Sequence, residues 1–246
     1  MCIRDSLCTG RSKAEIYDFI LECGIDGVIG AGGGYIEIGN QMLYHKKVTN
    51  KAVNHMVDYF DTNNFDYYVE SNGGLFASKN LVKRLERIIY GDYENDPQAK
   101  ARYEKKDSHF INALIEGQEM RRDDINKACF LENPNIPFNN IIKEFDREFN
   151  VIHCTVPAFG DNSGELSVPN IHKANAIETL INYLGIERKN TYAFGDGMND
   201  KEMLEYVNIG IAVGNAKEGL KAVADEITDN IDNNGIYNSM KKHNLI

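Results

Sequence analysis

The chain has 246 residues, 42% of them apolar and 26% charged, the balance of an ordinary globular protein and not of a fibrous or small disulfide-framework one. Its 27 lysines and arginines against 37 aspartates and glutamates leave a formal charge of −10, which repels phosphate backbones and anionic lipid, and no basic run offsets it locally. Nucleic acid and membrane partners are therefore not expected, and the apolar stretches, such as 209–213, fall far short of the roughly 20 residues that span a bilayer. The five cysteines, Cys2, Cys8, Cys23, Cys129 and Cys154, form no C-x-x-C pair, and the first residues lack the apolar stretch of a signal peptide. Together these predict a cytoplasmic protein without disulfides.

Ser12-Lys13-Ala14-Glu15 has the spacing of a capping box, and Ile16, Phe19, Ile20 and Cys23 recur at helical spacing before Gly24. This predicts one helix over 12–23. A short buried strand over 27–30 runs into Gly32-Gly33-Gly34, and 35–38 with 42–44 reads as a hairpin turning at Gly39-Asn40. From Val48 to Asn162 charged helices (51–59, 80–90) alternate with short β-rich pieces (67–70, 151–156), and Pro97, Pro134 and Pro137 mark loops. This is the texture of an α+β insert. Beyond it a helix over 173–184, a strand 191–194, a helix 201–206 and a strand 209–213 alternate as in a parallel sheet covered on both faces. The predicted organisation is a Rossmann-like α/β core from 1–47 and 163–246, with the insert over 48–162. The helix after Thr9 and the strand 191–194 are expected in one parallel-sheet domain.

Three segments could carry chemistry. Gly195-Asp196-Gly197-Met198-Asn199-Asp200 follows a strand and opens a helix, where open α/β sheets bind ligands. Its two carboxylates and an amide are hard oxygen donors suited to magnesium, although a plain turn with Asp200 capping the next helix is the simpler alternative. An EF-hand fits poorly, because Met198 occupies a ligand position and the flank is a strand. Thr9-Gly10-Arg11 precedes the capped segment, so a hydroxyl and free amides could meet a phosphate there; Ser12 as a mere helix cap is the plainer alternative. Lys173 lies in the first turn of its helix, where the macrodipole disfavours a cation. A phosphate nearby would compensate, and a solvated lysine is the alternative. The histidines show no paired ligand spacing, and none is assigned to a metal.

In this order the three segments resemble the second, third and fourth motifs of haloacid-dehalogenase-like (HAD) phosphatases of the Cof type. The likeness extends to 24–27, the hairpin end Tyr44-His45-Lys46, Gly164-Glu165-Leu166, Gly185-Ile186 and the stretch 211–216. The resemblance implies a HAD core with an inserted substrate-specificity cap, and a magnesium-dependent phosphatase of small phosphorylated metabolites that works through an aspartyl phosphate. It implies that Asp196 and Asp200 hold Mg2+. Thr9, Lys173 and Asp200 would be the catalytic residues, with Thr9, Gly10, Arg11, Lys173, Asn199 and Asn215 around the phosphate and Gly32, Gly33 and Gly34 toward the leaving group. The family's first motif, D-x-D-x-T with the nucleophile, has no counterpart: eight residues precede Thr9, and Leu7 stands where the second aspartate would. The expectation is an N-terminally truncated chain with little activity, a gap in its sheet, and Asp5 as a decoy. A non-catalytic phosphometabolite-binding or regulatory protein on the same fold is the alternative. The substrate and the oligomeric state are not legible.

Overall fold

The computed structural model describes residues 4–39 and 41–246, so the Cys2 position and Asn40 of the predicted hairpin turn lie outside the described residues. The described residues divide into two compact units, one of 4–10, 23–39, 41–45 and 171–246, the other of 11–22 and 46–170.

In the first unit β1 (Ser6–Cys8) pairs in parallel with β2 (Gly27–Gly30), with Cys8 opposite Ile29. β2 continues antiparallel into β3 (Tyr35–Ile38) and β4 (Gln41–His45), the expected hairpin, with a register shift between Ile36 and Glu37. The segment between β1 and β2 departs from expectation. In place of one helix over 12–23 there is a 3-10 turn, Lys13–Glu15, and a four-residue helix α1, Asp18–Leu21, separated by extended backbone at Ile16 and Tyr17. The Ser12 side chain does not cap the turn; its Oγ accepts from Asn126 Nδ2 at 3.0 Å, and its amide reaches Glu70 Oε2 at 3.4 Å. Tertiary hydrogen bonds have taken the groups the capping box needs, so local helix preference loses. The 11–22 segment consequently belongs to the second unit, and not to one domain with the strand after residue 190.

The second unit is built on a six-stranded sheet. α2 (Asn50–Thr62) leads to β5 (Tyr67–Ser71) and β6 (Leu75–Ala77), then α3 (Leu81–Tyr90), α4 (Pro97–Lys105), α5 (His109–Ala113) and β7 (Leu114–Ile115). β8 (Ile125–Phe130), α6 (Phe138–Phe145), β9 (Asn150–His153) and β10 (Gly164–Ser167) complete it in the order β7-β6-β5-β8-β10-β9. β10, expected in the core's second segment, pairs antiparallel with both β8 and β9. Phe60, Phe65, Tyr67, Phe130 and Phe145 are buried in mutual ring contact. At about 1.5–3 kcal/mol per fully buried large apolar side chain they stabilise this unit strongly.

The chain returns to the first unit through α7 (Lys173–Leu184), β11 (Tyr192–Gly195), α8 (Lys201–Tyr206), β12 (Ile209–Ala212), α9 (Glu218–Lys221), β13 (Glu226–Ile227) and α10 (Gly235–Lys242). β11, β12 and β13 form a parallel sheet, so the expected helix–strand alternation holds here. Ile29 and Ile36 of the first sheet share one apolar cluster with Ala176, Ile177, Leu180 and Ile181 of α7 and with Ala193, Leu204 and Ala212. Among the described residues no helix is long and apolar enough to cross a membrane.

Candidate active site

The first unit's parallel strands end at a cleft of about 380 Å³ lined by Cys8, Thr9, Gly10, Lys173, Phe194, Gly195, Asp196, Asn199, Asp200, Val213, Asn215, Ile231 and Ile236. Thr9 stands at the carboxyl end of β1, its amide donating to the Ile29 carbonyl at 2.8 Å and its carbonyl accepting from the Gly32 amide at 3.0 Å. Thr9, Lys173, Asp196 and Asp200, far apart in the chain, thus meet at one edge, and Gly10, Asn199 and Asn215 join them.

Lys173 opens α7 behind His172, whose Nδ1 accepts the Asn175 amide at 3.4 Å. The lysine is only 5% exposed, which contradicts the solvated alternative. Its Nζ donates to Asp200 Oδ1 at 2.5 Å and to the Cys8 carbonyl at 3.1 Å. The cation at a helix N-terminus is therefore compensated by a carboxylate of the protein itself.

Asp200, 4% exposed, ends a 3-10 turn, Met198–Asp200, directly after β11. Its Oδ2 accepts the amides of Asp196 at 3.0 Å and Gly197 at 3.2 Å. Asp200 stands at the N-cap position of α8, but its side chain makes no cap bond to that helix, contrary to the capping alternative; it folds back over the turn before it, and with Oδ1 on Lys173 both oxygens are engaged. This differs from the expectation of Asp200 as a metal ligand. Gly195 is required by the same packing: a Cβ there would sit 2.7 Å from the Asp200 Cβ. Asp196 is the opposite case, exposed and, among the described residues, without a hydrogen-bond partner for its carboxylate. No three His, Cys, Asp or Glu side chains converge among the described residues, so there is no all-protein metal cage. One free carboxylate beside an anion-sized cleft nonetheless fits magnesium, which commonly takes one or two carboxylates and completes its shell with water and phosphate oxygens.

Other expected residues lie elsewhere. Arg11 belongs to the second unit, its guanidinium donating to the Glu15 carbonyl at 3.3 Å and lying 5.3 Å from the Tyr17 ring centroid. Gly32, Gly33 and Gly34 are not part of the cleft lining. At Gly33, φ is +106° and a Cβ would come within 2.6 Å of the His172 carbonyl oxygen, so this glycine seats the start of α7 and with it Lys173.

Cys8 is a participant that sequence reasoning missed, since a backbone carbonyl carries no residue signal. Burial pushes its thiol up to about 12, against the nearby Lys173 cation, so it stays protonated and is no thiolate nucleophile. Asp5 sits at the far, amino end of β1, exchanging hydrogen bonds with the Asp26 backbone and side chain. Four extended residues put it roughly 13 Å from Thr9.

Comparison with known proteins places these features in a family context. A family model described as haloacid dehalogenase-like hydrolase matches residues 3–240. Phosphatase YwpJ of Bacillus subtilis (strain 168) is 28% identical over 254 residues, 95% of this chain and 85% of that protein. A crystal structure of a hypothetical protein from Geobacillus kaustophilus HTA426 superposes with a TM-score of 0.77 at 25% identity, covering 98% of this chain and 85% of the other. BT1666 from Bacteroides thetaiotaomicron, described among the phosphatases of the HAD superfamily, gives a TM-score of 0.73 at 20% identity over 99% of this chain and 83% of its own.

Proposed function

The chain belongs to the haloacid dehalogenase-like hydrolases, a phosphatase family by its relatives, and from that premise we propose that its cleft takes the phosphoryl group of a small phosphorylated metabolite for magnesium-dependent hydrolysis through an aspartyl phosphate. The observation that carries this reading is the buried Lys173 ammonium, fixed between Asp200 and the Cys8 carbonyl beside the one free carboxylate of the cleft.

Lys173 supplies positive charge for phosphoryl oxygens at a position that Asp200 holds rigid, so no reorganisation is needed when the anion arrives. Thr9 offers a hydroxyl at the end of β1, and Gly10 offers backbone without a side chain in the way. Asn199 and Asn215 contribute amide groups at the rim. Asp196 would hold the magnesium ion, which when bound neutralises phosphoryl charge and aids in-line displacement. Asp200 acts through Lys173 as a positioning residue. Arg11 and the glycines 32–34 are left out of the assignment.

The covalent step needs a carboxylate nucleophile at the mouth of β1. Among the described residues lining the cleft the carboxylates are Asp196 and Asp200; the first is given to the metal and the second is buried and held by Lys173 and two backbone amides. Phosphate binding with little turnover is therefore the behaviour proposed for these 246 residues alone, which is also what the phosphometabolite-binding reading requires.

Hydrolysis of p-nitrophenyl phosphate with magnesium tests this. The chain should be no faster than its Asp196→Ala variant, since loss of a catalytic nucleophile costs about 10⁶ in turnover. Inorganic phosphate should nevertheless raise the melting temperature of the chain, more with magnesium than without, whereas in that variant magnesium should add nothing to the shift. Fusing an N-terminal strand and helix that carry D-x-D-x-T should confer magnesium-dependent turnover. Magnesium-dependent turnover by the unextended chain that disappears in Asp196→Ala would show that another residue is the nucleophile.

A further inference from the structure

The 11–22 segment crosses the second unit as a strap bound to its sheet through polar groups. Ser12, fully buried, accepts from Asn126 and donates to Glu70; the Lys13 amide reaches Asn72 Oδ1 at 3.4 Å, and Asn126 donates to that same oxygen at 2.8 Å. Beneath the strap lies a charge cluster that phosphoryl chemistry does not use. Glu70 on β5 is fully buried, and Lys127 on β8 reaches Glu70 Oε1 and Glu165 Oε2 of β10, both at 3.1 Å.

Glu15, half-buried in the 3-10 turn of the strap that packs on β5, adds a third carboxylate to the surroundings of this one ammonium. The titratable and charged groups facing it are Arg11 on the strap, Glu70 and Tyr68 on β5, Lys127 on β8, and Glu165 on β10. α5, also packed on the strap, contributes His109, whose ring lies 5.5 Å from that of Tyr17. With Glu15 neutral, Glu70 and Glu165 balance Lys127 and Arg11; with Glu15 ionised one net negative charge is left in the cluster.

We propose that the strap is a proton-sensitive latch, docked on the sheet of the second unit while Glu15 is protonated and loosened when Glu15 ionises. Burial first, and the Glu70 carboxylate second, push the Glu15 carboxyl up to about 7. A carboxyl raised in the docked state stabilises docking fully below its ordinary value, and that contribution is lost as pH rises toward and through about 7.

Hydrogen exchange of the whole chain, read by mass spectrometry over peptides covering 11–22 and corrected for intrinsic exchange, tests the latch. Strap protection should fall by about tenfold or more between about pH 5 and about pH 7. Glu15→Gln should remove this dependence and leave the strap protected throughout. Glu165→Gln, which deletes a like charge and leaves Glu15 in place, should shift the loss to lower pH. Protection that is flat in the parent chain, a dependence that survives Glu15→Gln, or an unmoved midpoint in Glu165→Gln would each overturn the proposal.

Discussion

The Lys173–Asp200 pair offers the sharpest test of how the site is held. Both side chains are 6% exposed. Lys173→Met keeps most of the apolar stem but strands a buried carboxylate on two backbone amides, and Asp200→Asn strands a buried ammonium on the Cys8 carbonyl. Breaking a buried ion pair from one side costs about 3–5 kcal/mol, and in a chain of this length each kcal/mol moves the melting temperature by roughly 2–4 °C. Each single variant should therefore melt about 10 °C lower. The double variant differs: the side-chain carbonyl that Asp200→Asn leaves in place still accepts from the Asp196 and Gly197 amides, and no unpaired charge remains. It should cost no more than either single change, an interaction energy of about 3 kcal/mol in the double-mutant cycle. Urea unfolding of the four proteins, with midpoints compared at constant slope, measures this. Additive losses, or single variants costing less than about 1 kcal/mol, would refute a buried mutually compensating pair.

Two further outcomes follow from the same physical reasoning. Gly33→Ala, at φ +106° and against the His172 carbonyl, should destabilise clearly more than Gly32→Ala, at φ +66° with open space around the added Cβ, where about 1 kcal/mol is expected; equal losses in thermal unfolding would remove the role given to Gly33. His55 bonds Glu148 through Nδ1 at 2.5 Å and Glu144 through Nε2 at 2.8 Å, chiefly the first of which raises its pKa. Its contribution is present below about pH 6.5 and lost as pH rises through the raised value. The imidazole is 36% exposed, so the effect stays under about 1 kcal/mol. His55→Gln should flatten the slope of stability against pH in that window, and an unchanged slope contradicts the assignment.

What the sequence made legible was local. α7 and α8 fall where apolar spacing puts them, and β11 and β12 within one residue, because their helical and strand periods agree with the packing they enter. The gathering of Thr9, Lys173, Asp196 and Asp200 at one cleft was legible through motif order. Pro97, taken as a loop mark, instead opens α4 at its first position behind Asp96, whose side chain accepts the Gln98 amide; proline is well suited to that position, where its missing N–H has no partner to lose. The capping box at Ser12 failed because Asn126 and Glu70, more than fifty residues away in the chain, compete for the same groups. Pairing of β10 with β8 is likewise a long-range choice that no window of sequence contains.

The turn after β11 shows how two aspartates in one short motif come to different work. A 3-10 turn starting at Gly197 points residue 200 back over the amides of 196 and 197, and those amides fix one carboxylate oxygen before any ligand arrives. The other oxygen then has a single orientation, toward the start of α7, where Gly33 lets the chain come close enough to present Lys173. Asp196, at the strand end and ahead of the turn, receives none of these donors through its side chain and remains exposed. Backbone geometry thus consumes one carboxylate to place a cation and leaves the other open to an ion. On the proposed division Asp200→Asn should act on phosphate through the position of Lys173, whereas Asp196→Ala should act on the proposed magnesium ion. Phosphate titrations with and without magnesium separate the two: weakening in both conditions for Asp200→Asn, and loss of only the magnesium increment for Asp196→Ala.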